Sequence, residues 1–168
     1  MSAGLLVAAC GGGDAPPRAD IVRAALVADP APVLDAQLDL AFSRTMLDAL
    51  EQGVPLELDL VLTGRDADAS LSERRTLKLR YLPLARRWQL RDANGVERHY
   101  ARRTQLIASL DRVRVVLPPE WLSLRDDGAF TLTLSFATDK LPGPLRLPAL
   151  LEREWRFPTA KYAWHAAG

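Results

Sequence analysis

The chain has 168 residues, 48% of them apolar and 26% charged, with a net charge of +1. That length suits one domain with a genuine core, and that balance excludes both a disordered polypeptide and a polytopic membrane protein. A single cysteine, Cys10, and two histidines, His99 and His165, rule out a disulfide framework and leave too few ligands for an ordinary zinc site, so neither a metal nor a cofactor is expected.

Charge is spread unevenly along the chain. Residues 1–60 hold nine Asp/Glu against three Lys/Arg, whereas Glu73–Arg114 hold twelve Lys/Arg against four Asp/Glu. The last third is neutral. The near-zero total disfavours a nucleic-acid partner.

The N-terminus reads as an export signature. Leu5 to Cys10 is the longest uninterrupted apolar run, far short of the ~20 residues a spanning helix needs. Small residues precede Cys10, and Gly11-Gly12-Gly13 follows it as a flexible tether. The pattern is similar to a lipoprotein signal, in which Cys10 would be the acylated first residue of the mature protein. Residues 1–18 are therefore expected to be a signal-like segment and linker, and 19–165 one β-rich domain in the periplasm, held to the membrane through Cys10. Met1–Gly4 carries no Lys or Arg, which departs from the basic start of a secretory signal.

Ile21–Ala28 reads as a first strand. Across Val33–Phe42 the residues Leu34, Ala36, Leu38, Leu40 and Phe42 alternate with Asp35, Gln37, Asp39 and Ala41, the period-two signature of a sheet with one wet face. Ser43 is placed to cap a short helix carrying Met46, Leu47 and Leu50, with Gly53 at its end. Val54–Thr63 follows as a strand with Leu56, Leu58, Leu60 and Leu62 on one side. Gly64–Ser72 reads as a polar loop and Thr76–Leu82 as the next strand, followed by Arg87–Arg91. Asn94-Gly95 marks a hairpin in which both positions accept positive φ, returning through Val96–Ala101. Leu106, Ile107, Leu110 and Val113 have helical spacing, and Val115–Leu117 forms a brief strand before Pro118-Pro119. After Asp126-Asp127-Gly128, Phe130, Leu132, Leu134 and Phe136 alternate with Thr131, Thr133 and Ser135. Four prolines between Pro142 and Pro158 predict an extended edge segment, whose end wraps over the sheet. Eight or nine strands with hairpin connections and two short helices predict a mainly β fold, an antiparallel sheet or sandwich.

Several of these stretches resemble one family. Leu38-Asp39-Leu40, Ala49 through Leu56, Leu79-Arg80-Tyr81-Leu82-Pro83-Leu84 with Trp88 and Leu90, and the closing Leu141 through Leu150 with Trp155 and Trp164 look like the bacterial domain of unknown function numbered 4390. The resemblance covers most of Ala19–Trp164, and its motifs are structural. It implies a small exported proteobacterial protein of no established activity, encoded near a membrane sensor kinase, which makes such a kinase a candidate partner.

No catalytic constellation is legible. Neither histidine lies beside a nucleophile motif, no phosphate-binding glycine loop is present, and Asp126-Asp127 beside Gly128 reads as a turn. The chain is expected not to be an enzyme. Lys78, Arg80, Arg87 and Arg91 alternate with buried positions and crowd one outer face, an anion-binding patch unless Glu57 and Asp59 on the neighbouring strand neutralise it. Trp155 and Trp164, with Phe157 and Tyr162, form either an interfacial platform or the closed edge of a core. The leading expectation is a binding module for another envelope protein; the alternative is a structural protein docking on anionic lipid or lipopolysaccharide through the basic face and aromatic tail.

Overall fold

The computed structural model describes residues 15–28, 30–124 and 126–166; Cys10 lies outside them. Two antiparallel sheets face each other. One has three strands in the order β1-β2-β7: Arg18–Ala28, Pro32–Ala41 and Arg112–Val116. The other has six, in the order β6-β5-β4-β3-β8-β9: Glu97–Tyr100, Arg87–Arg91, Ser70–Leu82, Leu56–Arg65, Ala129–Phe136 and Ala160–His165. The expected antiparallel sandwich is what forms.

The alternating leucines explain it. Leu56, Leu58, Leu60 and Leu62 of β3, Leu132 and Leu134 of β8, and Leu34, Ala36 and Leu38 of β2 all fall on inward faces and are buried. Each large apolar side chain so buried contributes roughly 1.5–3 kcal/mol. β3 is central, paired to β4 from Leu56↔Leu79 to Arg65↔Ser70 and to β8 from Leu58↔Phe136 to Arg65↔Ala129.

The two ends of the sandwich differ. At one end β1 begins, β2 ends and β3 begins. Helix α1 (Arg44–Glu51) sits here, N-capped by Ser43, whose Oγ accepts from the Met46 amide at 3.1 Å. α2 (Arg103–Ala108) is tied to it by Arg103–Glu51 at 3.5 Å. At the opposite end the 3-10 segment Pro119–Leu124 folds Trp121 and Leu124 onto β3. Gly64 makes room for them: a Cβ there would stand 2.7 Å from Leu124 and 2.8 Å from Trp121.

Four expectations need correction. The Gly64–Ser72 loop is only a tight turn at 66–69, closed by the Asp66 carboxylate, which accepts from the amides of Asp68 and Ala69 at 2.8 and 2.6 Å; β4 begins at Ser70. The helix expected over Thr104–Val113 stops at Ala108, because Val113 and Val115 are drawn into β7 and pair with Ala36 and Leu34. The hairpin at Asn94-Gly95 takes positive φ only at Gly95 (81°), since the Asp92 carboxylate accepts from the amides of Asn94 and Val96 and closes a longer turn. Finally, Pro142–Pro158 is not an extended edge. Gly143–Leu151 forms a third helix, α3, with Pro142 as its N-cap and Pro144 in its first turn, where a missing N–H costs nothing. The chain's end supplies the edge instead, as β9.

Gly64→Val should lower the unfolding free energy by about 1–3 kcal/mol, since Trp121 and Leu124 must be displaced. Thr63→Val, on the opposite face of the same strand, should leave it nearly unchanged. Urea denaturation of the two variants checks the assignment of faces.

Candidate functional site

Lys78 and Arg80 of β4 and Arg87 and Arg91 of β5 share the outer face of the six-stranded sheet, but part of the charge on that face is met there. Lys78 Nζ lies 2.6 Å from Glu57 Oε1, and Asp59 receives Arg74 Nη1 at 3.2 Å and the Thr76 hydroxyl at 2.7 Å. Lys78 and Arg91 are direct cross-strand neighbours, and Glu57 and Glu97 flank this pair of cations on either side along the row. Gln89 is 7% exposed and donates to Glu97 Oε2 at 3.0 Å. Arg80, Arg87 and Arg91 have no carboxylate partner among the described ion pairs, and they are the surplus on this face.

The tryptophans do not join it. Trp155, 3% exposed, is buried in the helical end near Phe136, with a ring separation of 6.4 Å. Trp164 points inward, stacked 5.2 Å from Phe130. Phe157 bridges Phe42 and Phe136 at 5.5 and 6.1 Å. The aromatic ending closes the core, because β9 pairs with β8 in a register that turns Tyr162 and Trp164 to the inner face.

The histidines are exposed. His99 Nε2 is 3.3 Å from Gln89 Nε2 on the outer face, and His165 lies on the rim of a 390 Å³ hollow with Lys161 and Trp164. Among the described residues no cluster of three His, Cys, Asp or Glu is arranged to hold a metal ion.

A different site appears where the two sheets part. β1 lies against β9 on one side of the sandwich, but on the other the edge of β7 faces the β4–β5 surface across a gap. Two adjoining hollows of about 440 and 510 Å³ fill it, both bordered by Asp92, Asn94 and Val116. Six arginines line this cleft: Arg74, Arg75, Arg91, Arg98, Arg112 and Arg114. Asp92 is the acidic side chain that lines it, and it already holds Arg98 at 3.4 Å. Arg74 leans to Asp59 and Arg75 to Glu73 at 3.0 Å. The buried Nε of Arg75 meets no hydrogen-bond acceptor. Arg91 and Arg114 have no carboxylate partner among the described ion pairs, so the cleft keeps an excess of positive charge.

Two local devices hold the cleft's shape. The Asn94 side-chain amide donates to the Arg114 carbonyl at 2.8 Å and its oxygen accepts from the Val116 amide at 2.9 Å. It thus mimics one residue of a neighbouring strand and ties the β5–β6 turn to the edge of β7. Arg112 forks onto Asp35, with Nε–Oδ1 at 2.9 Å and Nη2–Oδ2 at 2.5 Å. That hydrogen bonding, against the cost of desolvation and aided by the charges of Arg112, Arg114 and Arg23, holds the Asp35 carboxyl below its ordinary value of 3.8.

A two-sheet β-domain with a cleft of arginines along one open seam is the class of protein that the geometry defines. The family model described as Domain of unknown function (DUF4390) matches residues 21–165, and the chain belongs to that family. No curated protein and no solved structure matches it.

The site is not legible in the sequence because its residues come from β4, β5, the β5–β6 turn, β6 and β7. Its one local signal was Arg112 and Arg114 alternating with Val113 and Val115, in a stretch whose helical spacing was followed instead.

Asn94→Ala should cost about 1–2 kcal/mol, the worth of two hydrogen bonds, and should speed amide hydrogen exchange at Val116 ahead of the core strands. Unchanged exchange there would contradict the strand-like tie. Asp35 supplies a pH test. A carboxyl lowered in the folded state stabilises fully above its unfolded value of about 3.9 and loses that contribution as pH falls through the lower folded value. Asp35→Asn should therefore melt below the wild type at pH 7, with the gap closing in strong acid.

Proposed function

We propose that the domain is a non-enzymatic binding module of the bacterial cell envelope, whose cleft receives an acidic segment of another envelope protein. The observation that carries this reading is the open seam beside β7, where six arginines surround one lining acid and neither Arg91 nor Arg114 is in an ion pair among those described. Arginine suits such recognition because its planar fork meets a carboxylate with two hydrogen bonds. Complementary charge raises association rates and selects the partner. The signal-like start ending at Cys10 supports a periplasmic location and a lipid tether. The resemblance makes a membrane sensor kinase the first partner to examine.

In-cell photo-crosslinking tests the reading. A photoreactive residue at Val116, on the cleft, should capture one dominant envelope protein, and the same residue at Thr133, on the outer face of β8, should not. Arg114→Gln should reduce the Val116 capture at least tenfold while melting close to the wild type, since Arg112 keeps its fork on Asp35. Equal capture at both positions, or capture indifferent to Arg114, would defeat the proposal.

A further inference from the structure

The two ends of the sandwich carry opposite surfaces. At the end where β1 begins, the segments 43–53, 83–87, 101–111 and 138–158 hold nine Lys/Arg against six Asp/Glu. At the other end, the described segments 66–69, 117–124 and 126–128 hold five Asp/Glu and no Lys/Arg, with Arg125 outside the described residues. The molecule has a basic end and an acidic end.

Exposed leucines follow the same division. Leu84, in the turn between β4 and β5, is fully exposed, and on α3 Leu147, Leu150 and Leu151 are 68%, 62% and 70% exposed. α3 turns Ala149 inward and leaves these three leucines out. It packs against the 3-10 turns Thr138–Lys140 and Arg153–Trp155, the second of which also contacts α1. Leu122, 40% exposed, is the one described exposed leucine at the acidic end.

The chain enters the domain at this basic end, since Arg18 pairs with Ala41 at the start of β1, just before Phe42 and α1. Seven residues lie between Cys10 and Arg18, a reach of at most roughly 28 Å over the eight steps of chain. An acyl anchor at Cys10 would hold this end, not the acidic one, toward the bilayer.

We infer that the basic end is a membrane-docking surface, with Leu84 and the α3 leucines entering the interface of an anionic bilayer while the surrounding arginines meet its phosphates. Leucines beside cations are the composition of helices that lie in a bilayer interface, and a negative leaflet attracts basic segments within a Debye length. Arg86, Arg87 and Arg153 have no carboxylate partner among the described ion pairs, which leaves them for lipid. The acidic end would face away, so the charge asymmetry orients the molecule as well as attracting it. This surface differs from the basic strand face and aromatic tail that the sequence suggested for lipid, because Trp155 is buried and the partly buried Trp164 stacks on Phe130. The inference rests on the envelope location proposed above and not on the arginine cleft.

The test uses the full chain carrying Cys10→Ser, so that no acyl chain contributes, and vesicles of phosphatidylcholine with or without 30% phosphatidylglycerol (on the order of the anionic content such surfaces carry). Cosedimentation should occur with the anionic vesicles, fall severalfold between low and high salt, and drop about tenfold or more when Leu84, Leu147, Leu150 and Leu151 are all changed to serine. These side chains are exposed, so the melting temperature should hold. An environment-sensitive dye on Leu150→Cys should shift to the blue on anionic vesicles, and the same dye on Leu122→Cys should not. Absence of binding, binding indifferent to the four leucines, or equal shifts at both positions would overturn the inference. So would a leucine-dependent dimer without vesicle binding, which would assign the surface to a second copy. Because the assay needs no protein partner, its failure is separable from failure of the cleft, which the Val116 crosslink reads alone.

Discussion

Burial of the leucine stripe of β3 is the constraint on which the rest of the structure depends. Leu56, Leu58, Leu60 and Leu62 are each at most 2% exposed, and the strand is hydrogen-bonded on both sides. A sheet with one such face must cover it. β2 supplies the cover with Leu34, Ala36 and Leu38, and β1 and β7 flank it. Since the register has period two, slipping β3 by one residue would expose all four leucines and bury Glu57 and Asp59. The same register sets Lys78 opposite Glu57 and Thr76 opposite Asp59. Core and surface electrostatics thus follow from one alignment.

The covering sheet has three strands and the covered sheet six. That mismatch produces the cleft. β1 closes against β9 on one side, and on the other the edge of β7 ends short of β5 and β6. An uncovered strand edge attracts unintended pairing. The domain manages it with Asn94, whose amide occupies the Arg114 carbonyl and the Val116 amide, and with charged side chains at Arg112 and Arg114. Blocking the edge and lining the cleft with positive charge are accomplished by the same few residues. The Asp35–Arg112 fork then fixes β7 to β2 on the outer face, leaving Arg114 beside it without a carboxylate of its own.

The basic strand face had two readings from sequence, and the register divides them. Lys78 is consumed by Glu57, while Arg80, Arg87 and Arg91 remain over. Of these, Arg91 alone borders the cleft. The tryptophans belong elsewhere: Trp155 under the helices and Trp164 over Phe130. The residues suspected of acting together are distributed among a paired surface, a cleft rim and a core.

Period-two alternation over 34–42, 56–62, 77–81 and 130–136 determined the antiparallel, mainly β fold by itself, because each stretch specifies which side chains must leave water before any partner is known. The Ser43 cap and the breaks at Gly53 and Gly95 were legible for the same reason, being local backbone chemistry. Tertiary structure decided what depends on two distant segments. β2 converted Val113 from a helical position to a strand by offering it a pairing edge, and contacts with the 3-10 turns on either side gave the proline-rich 143–151 segment a support on which a nine-residue helix holds. Neither the arginine cleft nor the gathering of Leu84 with the α3 leucines exists within any short stretch of chain. Both arise because antiparallel pairing returns separated turns to the same end or the same seam, a geometry that side-chain periodicity does not encode.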